Sequence, residues 1–102
     1  MGEPLDLLGD YAMTRPKTLK EARELADKQN ERDGFPDAVG HRWVPLMDAP
    51  RGEFIRFKPN GPVWTREDYD RASKSYELGA FAHWGRVTYR KGFTLVLVGF
   101  TF

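Results

Sequence analysis

The chain contains no cysteine, so disulfides, thiolate metal sites, iron–sulfur clusters and a cysteine nucleophile are excluded together. With no disulfide framework, a cytoplasmic location is the default expectation. No apolar run approaches the ~18 to 20 residues that a membrane-spanning helix needs. The stretch from Met1 to Asp6 carries neither the positive region nor the apolar run of a secretory signal. An excess of one charge is missing too: 16 Lys and Arg stand against 15 Asp and Glu, a formal net charge of +1. A partner held by charge must therefore meet a local patch.

Groups that commonly carry catalysis are scarce. Ser73 and Ser75 are the only serines, and neither has the glycine-flanked setting of a nucleophile elbow. His41 and His83 are the only histidines, and their spacing matches no metal motif. An acid–base pair would need Asp37, Asp48 or Glu53, the nearest carboxylates in sequence. There is no glycine-rich phosphate loop and no ribonucleoprotein aromatic signature. These absences lead to an expectation of a non-enzymatic protein with no metal and no cofactor.

What the sequence has in quantity is aromatic and strand-forming residues. Three Trp, seven Phe and four Tyr make it 14% aromatic, and 102 residues suffice for one domain with a single core. The segment Phe93-Thr94-Leu95-Val96-Leu97-Val98-Gly99-Phe100-Thr101-Phe102 reads as a strand that is apolar on both faces. Such a strand needs a cover on each side, supplied by helices, a partner chain or a ligand. Val96, Val98, Phe100 and Phe102 share one of its faces. They are candidate self-association residues, because a two-fold dimer buries a strand against its own copy.

Residues 1–17, with Leu5, Leu7, Leu8, Tyr11 and Met13 in no clean period, read as an N-terminal arm on a single domain formed by residues 18–102. Thr18-Leu19-Lys20-Glu21 is a capping box that starts a helix at Leu19, and Gly34 before Phe35-Pro36 ends it. Segments 41–47 and 53–58 flank the breakers Asp48 to Gly52 and read as a hairpin, with Pro45 confining the first to a sheet edge. Thr65-Arg66-Glu67-Asp68, followed by Tyr69, Ala72 and Tyr76, predicts a second helix ending at Gly79, with Glu67–Arg71 and Asp70–Lys74 pairs outside. Segments 83–90 and 93–102, joined through Lys91-Gly92, predict a second hairpin. The expected fold class is α+β in the order α-β-β-α-β-β, a four-stranded, largely antiparallel sheet with two helices packed on it.

Alternation in these strands puts Phe54, Arg56 and Lys58 opposite Ile55 and Phe57, and Trp84, Arg86, Thr88 and Arg90 opposite Val87 and Tyr89. If both inner sets share one core, Phe54, Arg56, Lys58, Trp84, Arg86 and Arg90 form one basic-aromatic surface suited to docking on a protein or stacking on bases. The alternative is an ordinary solvated face whose arginine stems cover rings. The expected function is a small binding protein that docks on a larger protein partner, in the format, by size alone, of phage- or mobile-element-encoded inhibitors and modulators. The second expectation is a nucleic-acid-binding accessory protein using the same face.

Overall fold

The computed structural model describes residues 16–82 and 85–100. Most of the expected arm, together with His83, Trp84 and Phe102, lies outside the described residues. Among the described residues there is one α-helix, α1 (Leu19–Asp33), and six strands: β1 (Arg42–Pro45), β2 (Phe54–Ile55), β3 (Trp64–Asp70), β4 (Ser75–Ala80), β5 (Val87–Arg90) and β6 (Leu95–Val98).

Helix α1 begins and ends where its caps dictate. The Thr18 hydroxyl accepts from the Glu21 amide at 3.2 Å, while the Glu21 carboxylate reaches one residue further back than a capping box requires, to the Lys17 amide at 2.8 Å. At the other end Gly34 sits at φ 73°, and the Phe35 amide bonds to the Asn30 carbonyl at 2.8 Å, closing a Schellman motif.

The expected second helix does not form, and with it falls the architecture of two helices on a sheet. Thr65 to Asp70 lies in β3, and Tyr76 to Gly79 lies in β4. Between them the Asp70 carboxylate accepts from the amide (2.9 Å) and hydroxyl (2.6 Å) of Ser73, and Lys74 takes φ 54°, so the chain reverses instead of coiling. Three helically spaced positions, Tyr69, Ala72 and Tyr76, suggested a period of 3.6, but Tyr76, Leu78 and Ala80 alternate with Glu77 and Gly79 at a period of two. The pairs Glu67–Arg71 and Asp70–Lys74 vanish with the helix.

Neither expected hairpin forms. Strands β2 to β5 make an antiparallel meander, whereas β1 pairs with β6, with Trp43 opposite Leu97 and Val44 opposite Val96. The two sheets touch where Arg56 exchanges both backbone bonds with Leu97, at 3.1 and 2.8 Å. Strand β6 thus runs between β1 and the end of β2. Pro45 lies on the edge strand β1, where its missing amide costs no ladder bond.

Both apolar faces of β6 are covered from within the chain. Leu97 packs with Trp43 and Ala26 beneath α1, and Leu95 and Phe35 pack against that cluster. Val96 and Val98 turn the other way, into the larger core of Leu46, Ala49, Ile55 and Leu78. Val96, Val98 and Phe100 are at most 8% exposed, so these residues need no partner chain to leave water. The strand's two-sided apolarity is met by a helix on one side and the meander's concave face on the other.

Candidate binding groove

Residues directly opposite in a ladder share a face. Ile55, Trp64 and Ala80 form one row on the concave side, followed by Arg66, Leu78 and Thr88, and then, past a register shift between Arg66 and Tyr69, by Tyr69, Tyr76 and Arg90. Phe54, Thr65, Gly79 and Val87 make a row on the convex side. Arg90 therefore faces away from Phe54, and Val87 and Tyr89, read from sequence as inward-facing, are 48% and 45% exposed. The inner set of β5 was assigned one residue out of phase, and a single step exchanges every side chain between faces.

The expected basic-aromatic surface is consequently divided. Phe54 meets Phe81 edge to face, with centroids 5.5 Å apart. Arg56 turns to the end of β6, its guanidinium 4.5 Å from the Phe100 ring centre and its Nη1 donating to the Pro59 carbonyl at 3.3 Å. Lys58 and Arg86 are exposed, and the Arg86 carbonyl accepts from the Ala80 amide. Arg90 lies over Phe57, 5.1 Å from its centroid. Trp84 lies outside the described residues.

Of the described members of this set, Arg90 alone lines a cleft between α1 and the meander. This groove, about 1620 Å³ in volume, runs between α1 and the end of the meander at the 71–74 and 91–94 turns. That is larger than the 300 to 1,000 Å³ typical of small-molecule pockets and suits a segment of polymer. Its described lining includes five basic residues, Lys28, Arg32, Lys74, Arg90 and Lys91, and no Asp or Glu. In a chain that is nearly neutral overall, this concentrates positive charge in one concavity, where low-dielectric walls strengthen its field.

Each cation is placed by a separate device. Lys28 and Arg32 stand four residues apart on α1 and so share a helix face. The Lys91 ammonium donates to the Ser73 carbonyl at 2.6 Å, which ties the 71–74 turn to the start of the 91–94 turn. Arg90 donates to the Thr88 hydroxyl at 2.6 Å and the Tyr89 carbonyl at 2.9 Å. The ammonium groups of Lys28 and Lys74 make no hydrogen bond or ion pair among the described residues. One carboxylate touches the lining: Asp33 accepts from Gln29 Nε2 at 3.0 Å and Trp43 Nε1 at 2.8 Å, and these two bonds hold it below the usual carboxylate range.

Aromatic rings complete the groove. Tyr69 lies 4.9 Å from Tyr76, which has the Arg66 guanidinium 4.4 Å from its ring centre, and 48% of Tyr69 remains exposed. Tyr89, Phe93 and Phe57 also line it. Sequence reasoning missed Tyr69 and Lys74 because both were assigned to a helix. The usable signals were the four-residue spacing of Lys28 and Arg32 and the period-two run from Tyr76.

His41 does find a carboxylate. Its Nδ1 lies 2.7 Å from Asp37 Oδ2, while Asp37 Oδ1 accepts from the amides of Val39, Gly40 and His41. Partial desolvation opposes ionisation of Asp37, but the His41 amide and ring and the Gly40 amide outweigh it and hold the carboxyl below its ordinary range. The His41 ring packs between Phe35 and Phe100, with centroids 5.9 and 5.7 Å away, so the pair fastens the 35–41 loop to the end of β6. Among the described residues no group of three or more His, Asp or Glu is arranged to hold a metal ion, and no helix is long and apolar enough to cross a membrane. No protein family, no curated protein and no solved structure matches the chain.

Proposed function

We propose that this protein is a non-catalytic binding domain that takes an anionic polymer segment into the groove between α1 and the meander. The observation that carries the reading is the lining itself, with five cations, no carboxylate among its described residues, and exposed rings at its walls. Charge of one sign gathered in a concavity raises both affinity and association rate for the opposite sign.

The test is fluorescence anisotropy with two labelled probes, a single-stranded oligo(dT) of 15 nucleotides and a Glu- and Phe-rich peptide of similar length. At least one should bind, and the double variant Lys28→Glu with Arg32→Glu should weaken it at least tenfold, since each cation lost to a polyanion costs on the order of 1 kcal/mol. Lys58→Glu with Arg86→Glu, outside the groove, should change it little. Failure of both probes, or equal loss in both variants, contradicts the reading.

A second reading keeps the docking on a protein partner and places it on the convex face. Phe81 and Val87 are 51% and 48% exposed beside Phe54, and Gly79 leaves the middle of their row without a side chain. Exposed apolar residues grouped in this way are typical of protein contact sites. Val87→Asp with Phe81→Ser should abolish partner capture from a lysate while leaving oligo(dT) and peptide binding unchanged.

A further inference from the structure

We infer that the groove's ligand is a single-stranded nucleic acid, one of whose bases stacks on Tyr69 while its phosphates meet Lys28, Arg32 and Lys74. This rests on the anionic-groove reading and narrows it to one class of polymer.

The rings decide between the two anionic polymers. An acidic peptide uses the cations and gains little from planar surfaces, whereas each base of an unpaired strand offers a π-face, and base–aromatic stacking contributes about 1–3 kcal/mol per base. Tyr69 packs against Tyr76 with centroids 4.9 Å apart and the rings tilted by 58°, and Tyr76 in turn has the Arg66 guanidinium 4.4 Å from its ring centre. Tyr76 thus braces Tyr69 from one side, and the 48% of Tyr69 that stays exposed leaves ring surface for a base.

The groove's cations come from two separate elements. Lys28 and Arg32 come from α1, and Lys74 comes from the turn where its left-handed backbone is set by the Asp70–Ser73 bonds. Among the described residues, Lys28 and Lys74 carry no carboxylate that a phosphate would have to displace. The convex face of the same sheet carries acids, with Glu67 beside Gly79 and Glu77 opposite Tyr89, which repels a polyanion from that side and directs it to the groove.

The experiment measures anisotropy of the full chain with labelled oligo(dT) 15-mer, the matching duplex and the Glu- and Phe-rich peptide, across 50 to 300 mM salt. The inference predicts tightest binding to the single strand, with log K falling against log salt at a slope of about −2 to −4, as expected when three to five phosphates are neutralised. Tyr69→Ala should weaken single-strand binding at least fivefold, and Tyr69→Phe should retain it, because the ring and not the hydroxyl is used. Circular dichroism of each variant checks folding, and the wild-type salt slope and probe preference decide the matter even if the alanine variant unfolds. Binding of the peptide but not the oligonucleotide overturns this inference and leaves the anionic groove standing. Binding of neither overturns both, and a folded Tyr69→Ala variant with unchanged single-strand affinity removes the stacking.

Discussion

The side-chain amide of Asn30 closes both backbone bonds of Trp43, accepting from its amide at 2.6 Å and donating to its carbonyl at 3.1 Å. Trp43 lies in β1, which pairs with β6 on one side only, so Asn30 acts as a one-residue strand along the open edge and locks α1 to the sheet. Asn30→Ala leaves a part-buried amide and carbonyl unpaired, each costing about 1–3 kcal/mol. Chemical denaturation should show a loss of roughly 2–4 kcal/mol, and Asn30→Asp, which keeps the acceptor and removes the donor, should lose less.

Two positive-φ glycines separate backbone strain from close approach. Gly34, at φ 73°, has open space where a Cβ would stand, so Gly34→Ala should cost about 1 kcal/mol. At Gly99, φ 85°, a Cβ would fall far inside contact with the Gly40 carbonyl. Gly99→Ala should cost about 3 kcal/mol or more, the αL strain plus a clash between backbones that cannot yield independently. Comparable losses at both sites would show that the 40 and 99 backbones are not in contact.

Lys74 tests the reversal that replaced the expected helix. At φ 54° a glycine is relieved of strain, so Lys74→Gly should leave stability unchanged or raise it by up to about 1 kcal/mol. A helix through this segment would instead lose about 1 kcal/mol. Thermal melting distinguishes the two signs.

Asp33 gives the expected pH dependence. Its hydrogen bonds from Gln29 and Trp43 place the folded-state value below that of the unfolded chain, so the folded state binds fewer protons near that value. The contribution is present in full above about pH 4, the ordinary carboxylate value, and fades as pH falls through the lower folded value. Asp33→Asn removes this share, and melting curves of wild type and variant should converge as pH is lowered below about 4. A difference that widens on acidification would contradict the assignment.

Local signals specified local structure well and long-range pairing poorly. Thr18, Glu21 and Gly34 bounded α1 because caps act over three or four residues. The two-sided apolarity of β6 correctly marked a strand flanked on both sides, yet nothing local told that its partner was β1, some fifty residues away. Pairing by proximity in sequence produced two hairpins that do not exist. The capping pattern at Thr65 to Asp68 occurs in a strand because burial of Trp64 and Leu78 in the meander overrides a local preference of a few tenths of a kcal/mol per residue. The groove was illegible for the same reason: its cations come from α1, the β3–β4 turn and β5, elements that only tertiary pairing brings together.

The most direct test of the binding groove is an amide chemical-shift titration of isotope-labelled protein with the oligo(dT) 15-mer and, separately, the acidic peptide. Shifts clustered at Lys28, Arg32, Tyr69, Lys74, Tyr89, Arg90 and Lys91, with Phe54, Thr65 and Val87 unmoved, are the predicted result. Shifts confined to the convex row of Phe54, Thr65, Gly79 and Val87, or no shifts with either ligand at millimolar concentration, would contradict it.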